Sequence, residues 1–355
     1  MKQWLKFAVT CLALTTGFAQ AGSISLGQAA NYNLFVKDNF SATSADTEGA
    51  VAIGGNMIID GGYDVGFVTG SGNAASLTVG GDIIKSGTGA LNVYNGNYTI
   101  GAAPYGKPGN LVYGGTIQNN GGSINAATST SQKPAINFNT AFSQLEQLSS
   151  TLANMTSPIT TNRNTQDRIL TFKPAVVSTS NVYVFELTQA DLENFRTIRI
   201  DNSNISKDAL IVFNMTNKAG TVASEQSTAM TCPPGTPNCF TLRQNTYQIG
   251  NKTTDSNTKL AQNVLFNFNG INDLRISSSV YGSILAPKAA INAPTGVIWG
   301  QVIAKSWTGN EQVNFNPLNI PTGQPTVSAP PAWALMLLPL LLVIRRRYSN
   351  QPTLA

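Results

Sequence analysis

Ser278–Trp307 reads SSVYGSILAPKAAINAPTGVIWGQVIAKSW and contains one short pattern twice. Val280–Pro287 (VYGSILAP) is matched by Val297–Ala304 (VIWGQVIA), and the two glycines, Gly282 and Gly300, are 18 residues apart. Each glycine interrupts a short apolar run with β-branched residues, which is typical of a strand. A strand that returns to the same position after 18 residues predicts the coil of a β-solenoid, whose backbone winds around a narrow core.

The N-terminal part, from Gly22 to about Thr128, carries a related pattern. Three segments share a mostly apolar triplet, a Gly-Gly pair, a polar residue and a further apolar residue: Val51–Ile58 (VAIGGNMI), Leu77–Ile84 (LTVGGDII) and Leu111–Gln118 (LVYGGTIQ). Glycine inside a strand marks a bend or a close backbone approach. The segments start 26 and then 34 residues apart, which predicts coils that differ in the length of their loops.

One segment has the periodicity of a helix instead. Its apolar residues step by three or four positions between Pro134 and Pro158: Phe138, Phe142, Leu145, Leu148, Leu152 and Met155. A helix of this length reaches about 27 Å, enough to lie along about five or six coils. We expect this stripe to cover the solenoid; a partner-binding face is the alternative. The predicted fold is therefore mainly β, a right-handed β-solenoid with one long α-helix packed alongside.

The rest of the central region continues the strand pattern, with Thr188–Phe195 as a brief helix or turn. Strands are predicted at Ile169–Phe172, Asn181–Leu187, Thr197–Ile200, Ala209–Met215, Asn263–Phe268 and Leu274–Ile276.

The charge distribution excludes several classes of function. The formal charge of +5 comes from Lys2 and Lys6 at the N-terminus and from Arg345, Arg346 and Arg347 near the C-terminus. Removing these five from the 22 basic residues leaves 17, which balance the 17 acidic ones. The chain between these two charged ends is therefore neutral, which argues against a nucleic-acid partner. The absence of histidine excludes Ser-His-Asp catalysis and a His-ligated zinc site, and we expect no cofactor.

Two features indicate export. Met1–Ala21 has a charged start, an apolar run and an A-x-A site, which predict a signal peptide cleaved between Ala21 and Gly22. In an exported protein, Cys232 and Cys239 in a proline-rich loop predict a disulfide. Closing so short a loop contributes roughly 2.5 kcal/mol in the chain-entropy account.

The C-terminal region reads as a linker and an anchor. Residues 318–331 form a proline-rich linker, and Ala332–Ile344 is an apolar run that ends at Arg345, Arg346 and Arg347. A run of this length is short for a membrane span, but the arginines behind it suit a stop-transfer or sorting tail. Residues 348–355 follow as a short extension.

Four acidic residues are the candidate metal ligands. Asp46 and Glu48 lie in one segment, and Asp60 and Asp64 bracket a Gly-Gly-Tyr turn. Acidic residues in solenoid turns bind calcium through oxygen ligands or cap turns through backbone hydrogen bonds, and we favour turn capping. Paired carboxylates would also suit a glycosidase, although the spacing selects no pair.

Four segments resemble the choice-of-anchor A domain: Leu26–Val36 (LGQAANYNLFV), Ser44–Gly55 (SADTEGAVAIGG), Gly282–Pro287 and Gly300–Lys305. The resemblance covers about Ile24 to Pro317. It implies an exported bacterial protein with an ice-binding-like β-solenoid, one flanking helix, an adhesive role and no catalytic residues. We accordingly expect residues 22–317 to form one domain.

The C-terminal region is similar to a PEP-CTERM sorting signal, which implies processing by the sorting machinery of the envelope. It departs from that pattern at Ser328–Pro331, where SAPP replaces Pro-Glu-Pro and ends on Pro330 and Pro331, and in the extension Tyr348–Ala355. Retention of the tail as a membrane anchor is the alternative outcome.

We therefore expect a non-enzymatic adhesin-like binding module at the cell surface or in the extracellular matrix. Its ligand is a polysaccharide, a matrix protein or a second copy of the chain, among which the residues do not choose. A polysaccharide-active enzyme is the alternative. Ice binding is less favoured, because a Thr-x-Thr ladder that would repeat on one face is missing from the repeats.

Overall fold

The computed structural model describes residues 24–68, 75–96, 106–216, 231–233, 236 and 238–321. They belong to a compact unit with bounds Ile24–Thr322. The signal peptide, the Ala21–Gly22 junction, the prolines at 330 and 331, the apolar run and the arginines at 345–347 lie outside the described residues. Those assignments stay predictions.

The elements are mostly short strands. In the N-terminal half they are β1 (Leu34–Val36), β2 (Phe40–Ala42), β3 (Ala45–Thr47), β4 (Val51–Ile53), β5 (Met57–Asp60), β6 (Tyr63–Val65), β7 (Leu77–Val79), β8 (Ile83–Ser86), β9 (Ala90–Val93), β10 (Asn110–Tyr113), β11 (Ile117–Asn119), β12 (Ser123–Asn125) and β13 (Thr128–Ser131). Then follow β14 (Ile159–Asn164), β15 (Ile169–Pro174), β16 (Val182–Thr188), β17 (Thr197–Ile200), β18 (Leu210–Thr216), β19 (Cys239–Leu242), β20 (Thr246–Ile249), β21 (Lys252–Thr253), β22 (Val264–Asn267), β23 (Asp273–Ile276), β24 (Val280–Tyr281), β25 (Ser283–Ala293), β26 (Val297–Trp299), β27 (Val302–Gly309) and β28 (Gln312–Asn314). The helices are a 3₁₀ turn (Gly27–Asn31), α1 (Phe138–Asn154), α2 (Gln189–Asn194) and α3 (Thr258–Ala261).

The strands wind into a solenoid, as predicted. A sixteen-stranded sheet and a seven-stranded sheet surround the core, and all their strand pairs are parallel. The long strands β25 and β27 run through a bend and therefore belong to two faces of the coil. A smaller sheet, β14-β15-β17-β20-β21, mixes parallel and antiparallel pairs.

The repeat in the C-terminal stretch is one turn of this solenoid. Strand β24 pairs with β26 and β25 with β27, so that Val280 lies beside Ile298 and Ile284 beside Val302. The three Gly-Gly segments stack in the same way, because β4, β7 and β10 are in register. The prediction that these glycines permit a close backbone approach is confirmed: a Cβ on Gly80 would collide with the carbonyl oxygen of Gly54.

The first coil of the chain packs on the last coil. Strand β1 lies between β4 and β27, with Leu34 beside both Val51 and Val302. The core is therefore continuous from the C-terminal coils into the N-terminal ones. It includes Phe40, which stacks on Trp307 at a ring-centroid distance of 6.3 Å.

Helix α1 covers one outer face of the coils, which confirms the predicted flanking helix. Asn137 caps it by accepting a hydrogen bond of 3.1 Å from the backbone N–H of Thr140. Its apolar stripe packs on outward-facing strand residues in a second core cluster, which includes Ala141, Phe142, Leu145, Leu152, Phe35, Val184, Val212, Leu265, Leu285 and Ile303. The stripe is thus core rather than a free partner-binding face.

Two further elements agree with the sequence analysis. Helix α2 begins at a capping box, in which Thr188 and Asp191 bond each other's backbone N–H groups. Cys232 and Cys239 form the predicted disulfide.

The start of the predicted linker packs on the solenoid, because Leu318 is buried and its N–H donates to Oε1 of Gln301. No helix within the described ranges is long and apolar enough to cross a membrane.

Candidate functional site

The candidate site is the outer face of the seven-stranded sheet, which carries carboxylate, amide and aromatic side chains. The strands follow the order β12-β9-β6-β3-β28-β26-β24. Alternate residues of the strands point into the core and are buried: Val280, Ile298, Val313, Thr47, Val65 and Val93. Their neighbours in sequence therefore point outward. At roughly 4.8 Å per strand, the face spans roughly 29 Å.

One row on this face is a continuous polar ladder, which consists of Gln312, Asp46, Asp64, Asn92 and Asn125. Strand pairing sets Asp46 beside Asp64, Asp64 beside Asn92, and Asn92 beside Asn125. Nε2 of Gln312 donates to Asp46 over 2.8 Å, and Nδ2 of Asn92 donates to Asp64 over 2.7 Å. Nδ2 of Asn125 donates to Oδ1 of Asn92 over 2.7 Å. The ladder spans five coils.

Burial disfavours the charged form of the three carboxylates of this face, and neighbouring charges add to this effect at Asp46. Partial burial, then the nearby charges of Glu48 and Asp64, raise the pKa of Asp46 to about 6. Burial also raises the pKa of Glu48 and of Asp64, each opposed by one hydrogen bond. For Glu48 that bond comes from the backbone N–H of Phe315 over 2.6 Å. A neighbouring cation would therefore be stabilised here.

Two aromatic residues, Tyr281 and Trp299, complete the face at its β24–β26 end. They are direct neighbours across the strand pair, and both side chains are half-buried. Asn314 continues their row on β28. We refer to Tyr281 and Trp299 as the aromatic pair. Half-exposed aromatic rings beside polar groups are common in binding surfaces.

The structure brings three of the four candidate acidic residues together. Asp46, Glu48 and Asp64 share the face, whereas Asp60 ends β5 in the sixteen-stranded sheet and accepts a 2.9 Å hydrogen bond from Ser86. Within the described ranges, no group of three or more His, Cys, Asp or Glu side chains is arranged to hold a metal ion. The acidic residues mostly accept hydrogen bonds from side chains of adjacent coils, rather than only capping turns.

Neither the aromatic pair nor the amide members of the ladder had been predicted from the sequence to be functional. One signal was available for the pair, since Tyr281 and Trp299 each precede the glycine of one repeat copy. No comparable signal existed for Gln312, which reaches Asp46 across 266 positions of sequence.

Residues 25–315 match the family described as "Putative Ice-binding-like adhesive domain". The chain is similar to an ice-binding protein from the Antarctic ascomycete Antarctomyces psychrotrophicus, with 11% identity, a TM-score of 0.31, and coverage of 83% of this chain and 98% of that chain. It is also similar to a glycosylated ice-binding protein from an Arctic yeast, with 14% identity, a TM-score of 0.33, and coverage of 87% and 96% respectively. For ice-binding protein 1 of Shewanella frigidimarina, the identity is 12%, the TM-score 0.30 and the coverage 83% and 97%. No match was found among curated protein sequences. The choice-of-anchor A and PEP-CTERM resemblances stay predictions.

Proposed function

The chain belongs to the ice-binding-like adhesive domain family, and from this premise we propose that it is an exported, non-enzymatic adhesive module that binds an extracellular ligand. The observation that carries the proposal is the outer face of the seven-stranded sheet. Polar and aromatic side chains repeat there in register from coil to coil. Such a surface offers one kind of contact many times along its length, which suits a polymer or another surface better than a small molecule.

The proposed location is the cell surface or the extracellular matrix. The predicted signal peptide supports export, and the Cys232–Cys239 disulfide suits an oxidising compartment. The arginine-terminated tail supports anchoring or processing at the envelope.

An enzymatic role is less favoured than binding. The chain has no histidine, and the family that its sequence matches is described as an adhesive domain.

Ice binding is also less favoured, because a long row of side chains on the sixteen-stranded sheet has no regular threonine spacing. This row crosses eight strands of the sixteen-stranded sheet, and its side chains are of mixed type. They are Thr241, Arg275, Asn292, Thr308, Ser41, Ile58, Ile84 and Gln118. Threonine occupies only two of these eight positions, so the row has no repeating threonine spacing.

The test is binding of the purified full-length protein to an array of glycans and matrix proteins. Polysaccharide cleavage and thermal hysteresis are measured on the same preparation. We expect saturable binding without product and without hysteresis. Turnover that Asp46→Asn or Asp64→Asn abolishes would establish an enzyme instead, and thermal hysteresis would establish ice binding.

A further inference from the structure

We infer that the outer face of the seven-stranded sheet binds a cationic amino-sugar polysaccharide, with sugar rings on the aromatic pair and ammonium groups at the carboxylates of the polar ladder. This inference rests on the proposed adhesive function and names its ligand class. Three independent properties of the face support it: the aromatic pair, the sign of its charge, and the length of the ladder.

The aromatic pair provides a stacking platform. Val280 and Ile298 are buried beneath it, so Tyr281 and Trp299 are held on the outer side of two adjacent strands. A pyranose ring in a β-linked polymer presents axial C–H groups on its faces, and these pack on aromatic rings. A cation beside a Trp or Tyr ring is attracted by the ring quadrupole as well. Phe315, which is 36% exposed, follows Asn314 at the end of β28.

The charge of the face selects cationic over anionic polymers. The seven strands contain Asp46 and Asp64 but no lysine or arginine, and Glu48 follows β3 directly. Burial raises the pKa of Asp46, and the nearby charges of Glu48 and Asp64 raise it further. An ammonium group placed between them would relieve that repulsion, whereas a uronate or sulfate would add to it.

The polar ladder provides hydrogen bonds over several sugar units. It spans roughly 19 Å across five strands, more than one monosaccharide can contact. A primary amide has two N–H donors and a carbonyl acceptor. At the exposed Gln312, the ladder uses one N–H, so the other N–H and the carbonyl oxygen can bond sugar hydroxyl groups.

The first experiment compares retention of the purified full-length protein on chitosan, chitin, cellulose, alginate and polylysine beads. We expect retention on chitosan to exceed that on chitin or cellulose at least tenfold, and no retention on alginate. Trp299→Ala should lower chitosan binding at least tenfold, with partial rescue by Trp299→Phe. Asp46→Asn and Asp64→Asn should each weaken binding several-fold. Asp167→Asn, in the exposed turn between β14 and β15, is the matched control and should leave binding unchanged.

The second experiment uses trimethyl chitosan, whose quaternary cation does not titrate. Asp46, which faces Glu48 and Asp64 and accepts from Gln312, is charged above about pH 6. Retention should therefore fall as the pH decreases from 7.5 to 5, and Asp46→Asn should flatten that profile. Rising salt should weaken retention at pH 7.5. Melting temperatures of all variants establish that each one is folded.

Several outcomes would overturn the inference. Polylysine retention equal to chitosan retention, with no effect of Trp299→Ala, would show that sugar rings are not recognised. Preferential retention on alginate would refute the charge argument. Binding to cells or matrix proteins without binding to any polysaccharide would contradict the inferred ligand class but agree with the proposed adhesive function. If the protein binds none of the surfaces, both the inferred ligand class and the proposed adhesive function are contradicted.

Discussion

Gly300 is buried at a close approach between the backbones of two coils of the solenoid. A Cβ at this position would collide with the carbonyl oxygen of Gly282 in the preceding coil. The glycine is therefore required by the stacking distance and not by an unusual backbone angle. Gly62 provides a contrast, since the nearest atoms to a Cβ there are 3.7 Å away.

We predict that Gly300→Ala lowers the free energy of unfolding by about 2–3 kcal/mol, because backbone atoms of the adjacent coil cannot move aside. Gly62→Ala should change it by less than about 0.5 kcal/mol. Urea denaturation of the two variants measures the difference. Equal stability of the two variants would contradict the steric explanation.

Glu311 is an acidic residue that is buried inside the coils. It has no exposed surface, and neither carboxyl oxygen has a hydrogen-bond partner among the described residues. Burial raises the pKa of Glu311 to about 9. The folded protein therefore retains a proton that the unfolded chain releases near its ordinary pKa.

From this we predict that stability falls as the pH rises from about 4.5 towards about 9. In that window the folded state binds more protons than the unfolded state, so the free energy of unfolding decreases with pH. At pH 7 the cost is roughly 3 kcal/mol. Glu311→Gln should remove most of this dependence and make the protein more stable at pH 8. Parallel pH–stability profiles for the variant and the wild type would contradict the buried-acid explanation.

At the scale of elements, helix α1 is attached by both apolar and polar contacts. Phe142 is fully buried and stacks on Phe35 at a centroid distance of 5.4 Å. Ser149 donates to Asn267 over 2.6 Å, and the amide of Asn214 donates to the carbonyl oxygen of Leu152 over 2.8 Å. Buried polar groups that are paired in this way determine one docking position of the helix.

Phe142→Ala should lower the free energy of unfolding by about 3–5 kcal/mol, because it leaves a cavity between the helix and the coils. Ser143→Ala, at the next and exposed position of the same helix, should stay within about 0.5 kcal/mol of wild type. Hydrogen exchange provides a local measurement, in which amides of α1 should lose protection in the phenylalanine variant. If α1 keeps full protection, its docking does not depend on this contact.

At the scale of the whole molecule, the solenoid is closed by a contact between distant parts of the chain. Leu34 of β1 pairs with Val302 of β27, and Asn33 donates to the carbonyl oxygen of Gly300 over 2.9 Å. Contacts of such long sequence separation carry a large loop-closure cost before they stabilise the fold. The first coil of the chain thus depends on the last coil for one of its two neighbours.

The tail prediction also concerns the whole molecule. We expect truncation after Pro331 to release the protein into the medium, because this removes the apolar run and the arginines that end it. Truncation after Arg347 removes only the last eight residues and should leave retention unchanged. Fractionation of expressing cells measures both variants. Retention of the Pro331 truncation would show that another segment anchors the protein.

The sequence by itself determined the solenoid, the 18-residue coil, the Gly-Gly bends, the flanking helix and the disulfide. Each of these follows from residues that lie close together in the chain. The spacing of Gly282 and Gly300 equals the length of one coil, and the apolar stripe that starts at Phe138 defines one face of a helix.

Only the tertiary structure decided which residues share a surface. Asp46 and Asp64 are neighbours because the segment between them, which includes β4 and β5, makes one coil. Gln312 joins them because the first and last coils pack together. Registers between distant strands arise from the packing of the whole core, and local periodicity carries no information about them.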